Sequence, residues 1–428
     1  MKTQLNQDIQ EVELSLSENI EFERIKMDII NDLSMKNDEL LLGAFGNVEK
    51  KEQLGIYIKN YLAEKNIKHI SAENLVNSIC GLLFIEDIIK DEDITDLSWN
   101  GTELWVQHNK KGRYHYTDNL LTENQVGMLI SKIGNAINKS CNASSPILDA
   151  EYPMLRVNAT HPTIAPYGQT FSMRVVRPKL RYDPSQSPDI PQELFGILKS
   201  FMKSKCNILV SGITGSGKTE FQKWLIGHIN NNEKIFSAED TLELHIKTLY
   251  PEKDIMSFKT TNRITYIDLV KVALRNNADW IIIAETRGAE AYDMIKAAQT
   301  GHNVITTVHS ISAHDSVDRL IHMCKEEYDL EQVLLGQIIS RAFDIGIHLD
   351  YTIDQNGVSR YITEIVQYES YNDQGLKYSP LYELEFVVNQ DNTITKNHKF
   401  YPLCKKIEQK LIKGKQIQEL NEYNRLIK

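Results

Sequence analysis

The run Gly212-Ile213-Thr214-Gly215-Ser216-Gly217-Lys218-Thr219 constrains this chain more than any other, because it fits the pattern GxxxxGK[ST] and stands between two unlike neighbours. Before it, Cys206-Asn207-Ile208-Leu209-Val210-Ser211 is a short, β-branched, apolar run suited to a buried strand. After it, Phe221, Trp224, Leu225 and Ile229 recur at helical spacing. A strand, a glycine-rich turn and a helix in that order let backbone N–H groups converge without side chains in the way. They also bring the unpaired donors and positive dipole end of a helix N-terminus. Such a turn holds phosphate. The alternative is a chance glycine-rich turn, and the flanking strand and helix count against it.

The phosphate-binding set is accordingly Gly212, Ile213, Thr214, Gly215, Ser216, Gly217, Lys218, Thr219 and Glu220. In this pattern the lysine reaches the β and γ phosphates, and the hydroxyl of Thr219 is a ligand for Mg²⁺. In an open α/β sheet the ligand lies beyond the carboxyl ends of the strands, so the residues that end the other apolar runs come next. The run from Ile235 leads into Glu239-Asp240, that from Trp280 into Glu285-Thr286-Arg287, and that from Val304 into His309-Ser310. ATP hydrolysis needs an oriented water, a metal, and positive charge where the γ-phosphoryl leaves. Glu285 and Glu239 are the candidate water-orienting and metal-shell carboxylates. Glu285 is favoured as the base and, with Thr219, as the metal-shell residue. His309 can hydrogen-bond the γ-phosphate side, and Arg287 can bridge carboxylates or phosphate. The bland alternatives are a solvated strand-end acid at 239 and a structural histidine at 309.

At 428 residues the chain is long for one core, so two or more domains are expected. A net charge of -10 argues against a surface that coats nucleic acid, which would be basic, and so against direct nucleic-acid binding, while a local basic channel in an oligomer stays open. No stretch approaches the roughly 18 apolar residues of a membrane-spanning helix, and the first residues lack the apolar core of a secretory signal. A cytoplasmic location is therefore expected. Cys80, Cys141, Cys206, Cys324 and Cys404 are scattered with no CxxC pair, which gives neither a zinc site nor a disulfide framework.

Five segments follow from patterning. Residues 1–90 are charged with helical apolar spacing from about Val12 to Ile89. Residues 91–177 read as a small α+β domain. It opens on a β-hairpin with Asn100-Gly101 as a type I′ turn and contains a helix capped by Thr122 and Gln125. Residues 178–191 hold four of the chain's 11 prolines and read as a semi-extended linker. Residues 192–350 alternate strand and helix, as a mostly parallel sheet requires, with Phe343, Ile345, Ile347 and Leu349 placed on an exposed edge strand. Residues 351–428 read as a small antiparallel appendage, with turns at Asn356-Gly357 and Asp391-Asn392, followed by a charged helical tail.

Taken together, these residues resemble the secretion ATPases of type II and type IV secretion, type IV pilus and Tad pilus systems, and especially their CpaF-like branch. Gly212 to Thr219 is the Walker A match, and Ile235 to Leu244 looks like the family's Asp box. Ala273 to Gly288 is similar to its Walker B region, and Thr300 to Ser310 to its His box. Ile94 to Gly101 and Arg156 to Ala159 match two further segments. The resemblance implies an α/β, RecA-like P-loop NTPase domain, preceded by a small α+β domain and an N-terminal helical region, in a homo-hexameric ring. It implies Mg²⁺ and ATP between the domains, with Arg156, Arg174 and Arg177 reaching the phosphates in the same or a neighbouring subunit. Hydrolysis would then drive domain motion about the linker. The implied partners are inner-membrane platform proteins of a secretion or pilus machine, met at the cytoplasmic membrane face. Two departures stand out: Ala284 replaces the usual glycine before the Walker B glutamate, and the Cys₄ zinc insertion of many type II members is absent. The rival readings are a RecA-like nucleic-acid motor and a nucleotide-gated scaffold that does not hydrolyse ATP.

Overall fold

The computed structural model describes residues 21–427 apart from 34, 38–39, 41–43, 45–47, 83–84, 118–120, 153 and 355–356. The start of the helical segment at Val12 and the turn residue Asn356 lie outside the described residues. Met1–Val176 form one compact unit and Arg177–Lys428 another.

In the N-terminal unit, helices over 21–33, Val48–Glu64 and Ala72–Cys80 bury Ile25, Ile29, Leu54, Ile58, Leu75 and Ile79 together. Next come β1 (Ile94–Trp99), β2 (Leu104–His108), β3 (Gly112–His115), β4 (Ile147–Tyr152), β5 (Leu155–Thr160) and β6 (Thr170–Val175). They form one antiparallel sheet in the order β3-β2-β1-β6-β5-β4. Helix Glu123–Ala136 packs Val126, Leu129, Ile130 and Ile133 against Leu97, Trp99 and Val157, and its Thr122–Gln125 capping box is formed. The hairpin turn differs from expectation. Trp99 pairs with Leu104, so the loop is four residues long, not two. Asn100 Oδ1 accepts from the N–H groups of Thr102 at 3.0 Å and Glu103 at 2.8 Å, an Asx turn that outcompetes the two-residue geometry.

Among the described residues the C-terminal unit is built on nine strands: β7 (Ile208–Gly212), β8 (Ile235–Glu239), β9 (Ile255–Lys259), β10 (Trp280–Ile283), β11 (Asn303–Val308), β12 (Ile345–Asp354), β13 (Gly357–Asn372), β14 (Gly375–Val388) and β15 (Ile394–Phe400). Their order is β15-β14-β13-β12-β7-β11-β10-β8-β9, parallel from β12 to β9 and antiparallel from β12 to β15. Helices Glu193–Lys203, Lys218–Gly227 and Lys405–Lys413 cover one face. Tyr266–Arg275, Glu290–Gln299, Asp315–Cys324 and Gln332–Ala342 cover the other. Because both faces are covered, the inner parallel strands β7, β8, β10 and β11 are mostly apolar and buried, whereas β9 at the sheet's edge alternates. Ile281, Ile282 and Ile283 are all fully buried, and at about 1.5–3 kcal/mol per buried side chain they fix where β10 ends and its polar residues begin.

Three expectations are corrected here. The strand carrying Ile345, Ile347 and Leu349 is not an exposed edge: it lies between β7 and β13 with both ladders filled. The strands beyond 351 are not set apart from the main sheet but continue it, so the Asp391-Asn392 turn joins two of its members. The proline-rich stretch is tied down along its length. Arg181 N–H donates to Glu220 Oε2 at 2.7 Å, Ser187 Oγ donates to Arg360 O at 3.2 Å, and Asp189 binds Ser359 and Lys396. Strand β9 has no counterpart in the sequence reading.

Candidate active site at the strand ends

The glycine turn leaves β7 at Gly212. A Cβ there would lie 2.3 Å from Leu349 O and 2.6 Å from Ser216 Oγ, so the chain passes too close to β12 for any side chain. Gly217, at φ +93°, caps helix Lys218–Gly227 in the left-handed region. The turn is supported from behind by a buried pair: Ser211 Oγ lies 2.9 Å from His348 Nδ1, and burial pushes that histidine down to about 4, so it is neutral. Lys218 is buried, and its ammonium donates to Gly212 O (2.9 Å), Ile213 O (3.0 Å) and His309 Nδ1 (3.3 Å).

From Lys218 the contacts run sideways across neighbouring strand ends. An ammonium can only donate, so His309 Nδ1 accepts and its proton sits on Nε2, which faces Glu285 Oε1 at 3.1 Å. Burial and then the charge of Lys218 hold His309 below its usual range, which keeps it neutral. Glu285 accepts at Oε2 from Arg287 Nη2 at 2.8 Å, and Arg287 Nη1 reaches Asp240 Oδ2 at 2.8 Å. Burial raises the Glu285 pKa, but the hydrogen bond and charge of Arg287, with the neighbouring His309 and Lys218, together bring it below the usual carboxylate value, and the carboxylate stays ionised. Glu285 is also fixed through its backbone: Thr307 Oγ1 donates to Ala284 O at 2.8 Å, and Thr286 N–H to Thr307 O at 2.9 Å. Gln222, one turn past Lys218, donates to Ile283 O at 2.9 Å and ties the helix to β10.

Within the C-terminal unit, Glu239 and Glu220 turn away from this chain of contacts. Glu239 shares a face with Ile235, under helix Lys218–Gly227, and is 1% exposed. Its Oε2 accepts from the N–H groups of Glu243 (2.9 Å) and Leu244 (2.8 Å), so it closes the turn after β8 and does not join the Lys218–His309–Glu285 chain. Burial, partly offset by those bonds, raises it to about 7. The Glu220 carboxylate turns inward to Lys223 (2.9 Å) and Arg181, which leaves only its backbone for a phosphate. Arg156 and Arg174 face each other on β5 and β6 of the N-terminal unit, with Glu151 opposite Arg156 and Asp96 bonded to Arg174 at 3.0 Å. Arg177 is buried at the start of the C-terminal unit.

Two residues outside the candidate set belong to this neighbourhood. Asp240 stands beside Glu239, and an acid one residue past a strand end is the signal the sequence offers. Arg360, on β13, donates from Nε to Gly215 O at 3.2 Å and lies over the Tyr182 ring at 5.6 Å; nothing local marks it. In the N-terminal unit Asp91, Asp93 and His108 cluster as a cation site would. His108 Nδ1, however, accepts from Lys110 and Lys111 N–H at 3.0 and 3.1 Å, which puts the proton on Nε2 and leaves no lone pair for a metal.

Residues 145–346 match the profile of the family described as Type II/IV secretion system protein. An uncharacterized protein of Bacillus anthracis is 36% identical over 359 residues, covering 79% of this chain and 81% of its own. The conjugal transfer protein TrbB of Rhizobium radiobacter is 27% identical over 254 residues, 58% of this chain and 75% of its own. Among solved structures, the Legionella pneumophila ATPase DotB aligns over 81% of this chain and 87% of its own, with a TM-score of 0.51 at 17% identity, a likeness of fold alone. Among the described residues no helix is long and apolar enough to cross a membrane. With a phosphate-type loop on the central strand of a covered parallel sheet, and acid, arginine and histidine at the adjoining strand ends, the chain belongs to the type II/IV secretion ATPase family.

Proposed function

We propose that this protein is a Mg²⁺-dependent ATP hydrolase that powers a secretion, pilus-assembly or conjugation machine as a hexameric ring. The observation that carries this reading is the unbroken contact chain from Lys218 through His309 and Glu285 to Arg287. It links the phosphate-holding lysine to an ionised carboxylate through a neutral imidazole. The loop N–H groups and Lys218 bind the phosphates, and Lys218 exchanges its carbonyl partners for phosphate oxygens. Glu285 orients and deprotonates the attacking water; His309, donating from Nε2, fixes the carboxylate's direction. Thr219 and Glu285 offer the hydroxyl and carboxylate oxygens that a hard cation takes, and Mg²⁺ held there would neutralise charge on the triphosphate. Glu239 is assigned here to shaping the β8 turn. Arg156, Arg174 and Arg177 supply positive charge to the phosphates, from the same or a neighbouring subunit. Because the stretch from Arg181 to Asp189 is bonded to the C-terminal unit, the joint for domain motion falls near Val176–Arg177 and not along residues 178–191.

The test is Lys218→Ala with phosphate release as the readout. Turnover should fall to background while the protein stays folded; hydrolysis at the wild-type rate would refute the assignment.

A further inference from the structure

Asp240 has no assigned part in this site, yet it is the last member of the contact chain. Its Oδ1 accepts from Thr241 N–H at 2.9 Å, which presents Oδ2 to Arg287 Nη1 at 2.8 Å. The backbone of Arg287 is itself anchored, since Arg287 and Gly288 N–H both donate to Glu290 Oε1 at 2.7 and 2.9 Å. The guanidinium is therefore stretched between two fixed carboxylates and gives one amino group to each. Left to itself, an arginine beside one carboxylate prefers the two-bond, side-on arrangement that occupies both oxygens. Here only Oε2 of Glu285 is taken by the arginine, and Oε1 is left facing His309.

We infer that Asp240 is a positioning residue that holds Arg287 end-on and keeps Oε1 of Glu285 clear of the guanidinium, where it faces His309. Removing the Asp240 charge frees Arg287 to swing side-on and cover both oxygens, in competition with His309 and with any cation or water. Asp240 and Arg287 side chains are 36% and 52% exposed, so their replacement leaves the core intact. The inference rests on the ATPase reading for its consequence in turnover, but not for its consequence in metal binding.

The experiment is a double-mutant cycle of Asp240→Asn and Arg287→Gln in the full chain, with Asp240→Glu as the conservative control. Two quantities are read: kcat and KM for ATP, and the apparent Mg²⁺ dissociation constant of the complex with a fluorescent ADP analogue. Asp240→Asn should lower kcat and weaken Mg²⁺ binding, each by about tenfold or more, as loss of a group that orients a metal ligand does. KM should hold, and Asp240→Glu should stay close to wild type. In the Arg287→Gln background, Asp240→Asn should change neither quantity, because there is no arginine left to hold. Equal losses in both backgrounds, or a wild-type Asp240→Asn, would overturn the inference. If the wild-type chain hydrolysed no ATP, the functional reading would fall while the Mg²⁺ cycle still decided the role of Asp240.

Discussion

His309 Nε2 lies 3.1 Å from Glu285 Oε1, and the proton between them belongs to the histidine because its other nitrogen faces the ammonium of Lys218. The pair is a neutral donor on an ionised acceptor, and it is the point where the phosphate loop meets the acid. The order of contacts, Lys218, His309, Glu285, Asp240, is the order of strands β7, β11, β10 and β8 in the sheet.

That tautomer makes one substitution special. A glutamine at 309 can accept from Lys218 with its carbonyl and donate to Glu285 with its amide, whereas alanine can do neither. His309→Ala should cost about 10²-fold in kcat, and His309→Gln less than about tenfold. Acid should act on the same contact, because a second proton would land on Nδ1, against Lys218. With the His309 pKa held below 6.5, turnover should fall only below that pH. Steady-state rates of the three proteins between pH 5 and 8 check both points, and equal losses in the two variants would remove the hydrogen-bond argument.

Glu239 gives a stability prediction. Its pKa is about 7 in the fold against 4.5 for the free side chain, so the folded state binds the proton more tightly than the unfolded chain does. The penalty for ionising it is absent below pH 4.5, grows between 4.5 and 7, and is fully present above 7. At 1.36 kcal/mol per pKa unit, this amounts to roughly 3 kcal/mol. Glu239→Gln carries no such penalty. The stability difference between variant and wild type should therefore shift in the variant's favour by about that amount between pH 5 and pH 8. Urea unfolding at the two pH values measures it, and a constant difference would mean that the carboxylate is solvated.

Much of this site is local in the sequence. The loop, its strand and helix, and the acids and histidine that end three apolar runs are visible because a parallel strand covered on both faces must be apolar until it leaves the sheet. What a local pattern does not carry is which strands are neighbours, and that alone decides that Glu285 meets His309 while Glu239 does not. The misplaced edge strand has the same cause. Gly346 and His348 interrupt the apolar run and look like a solvent face. Yet Gly346 makes room for the Tyr368 ring, whose hydroxyl would be 2.2 Å from a Cβ, and His348 is bonded to Ser211. Asp344, beside them, is buried under Lys406 and Lys410 of a helix some 60 residues on. The proline-rich stretch likewise looked free because its partners, Ser359, Arg360 and Lys396, are far along the chain.

Glu220 and Lys223 form a buried pair beneath the loop, with side chains 12% and 1% exposed. Breaking such a pair on one side strands a charge in the interior. Glu220→Ala should therefore cost about 3–5 kcal/mol, whereas the joint change Glu220→Leu with Lys223→Met should recover only part of it, because the N–H and the largely buried guanidinium of Arg181 also lose Glu220 as their acceptor. Chemical denaturation of the three proteins reads the difference. If the single change costs less than about 1 kcal/mol, water reaches Lys223 and the pair is not buried in solution.

The two loop glycines should fail for different reasons, and by different amounts. Alanine at 217 must adopt a left-handed backbone at φ +93°, a cost of about 1–2 kcal/mol, and its nearest obstacle is the flexible Cδ of Arg360 at 3.4 Å. Alanine at 212 meets the backbone oxygen of Leu349 at 2.3 Å, and β12 cannot retreat because it is hydrogen-bonded to β7 on one side and β13 on the other. Gly217→Ala should therefore fold with a modest loss of stability, and its damage should appear as weakened nucleotide binding where the loop's N–H groups no longer converge. Gly212→Ala should lose several-fold more stability, because its clash must separate two central strands before it touches the loop. Melting temperatures with and without ADP order the two variants, and a Gly212→Ala protein as stable as Gly217→Ala would show that β12 does not press on the loop as described.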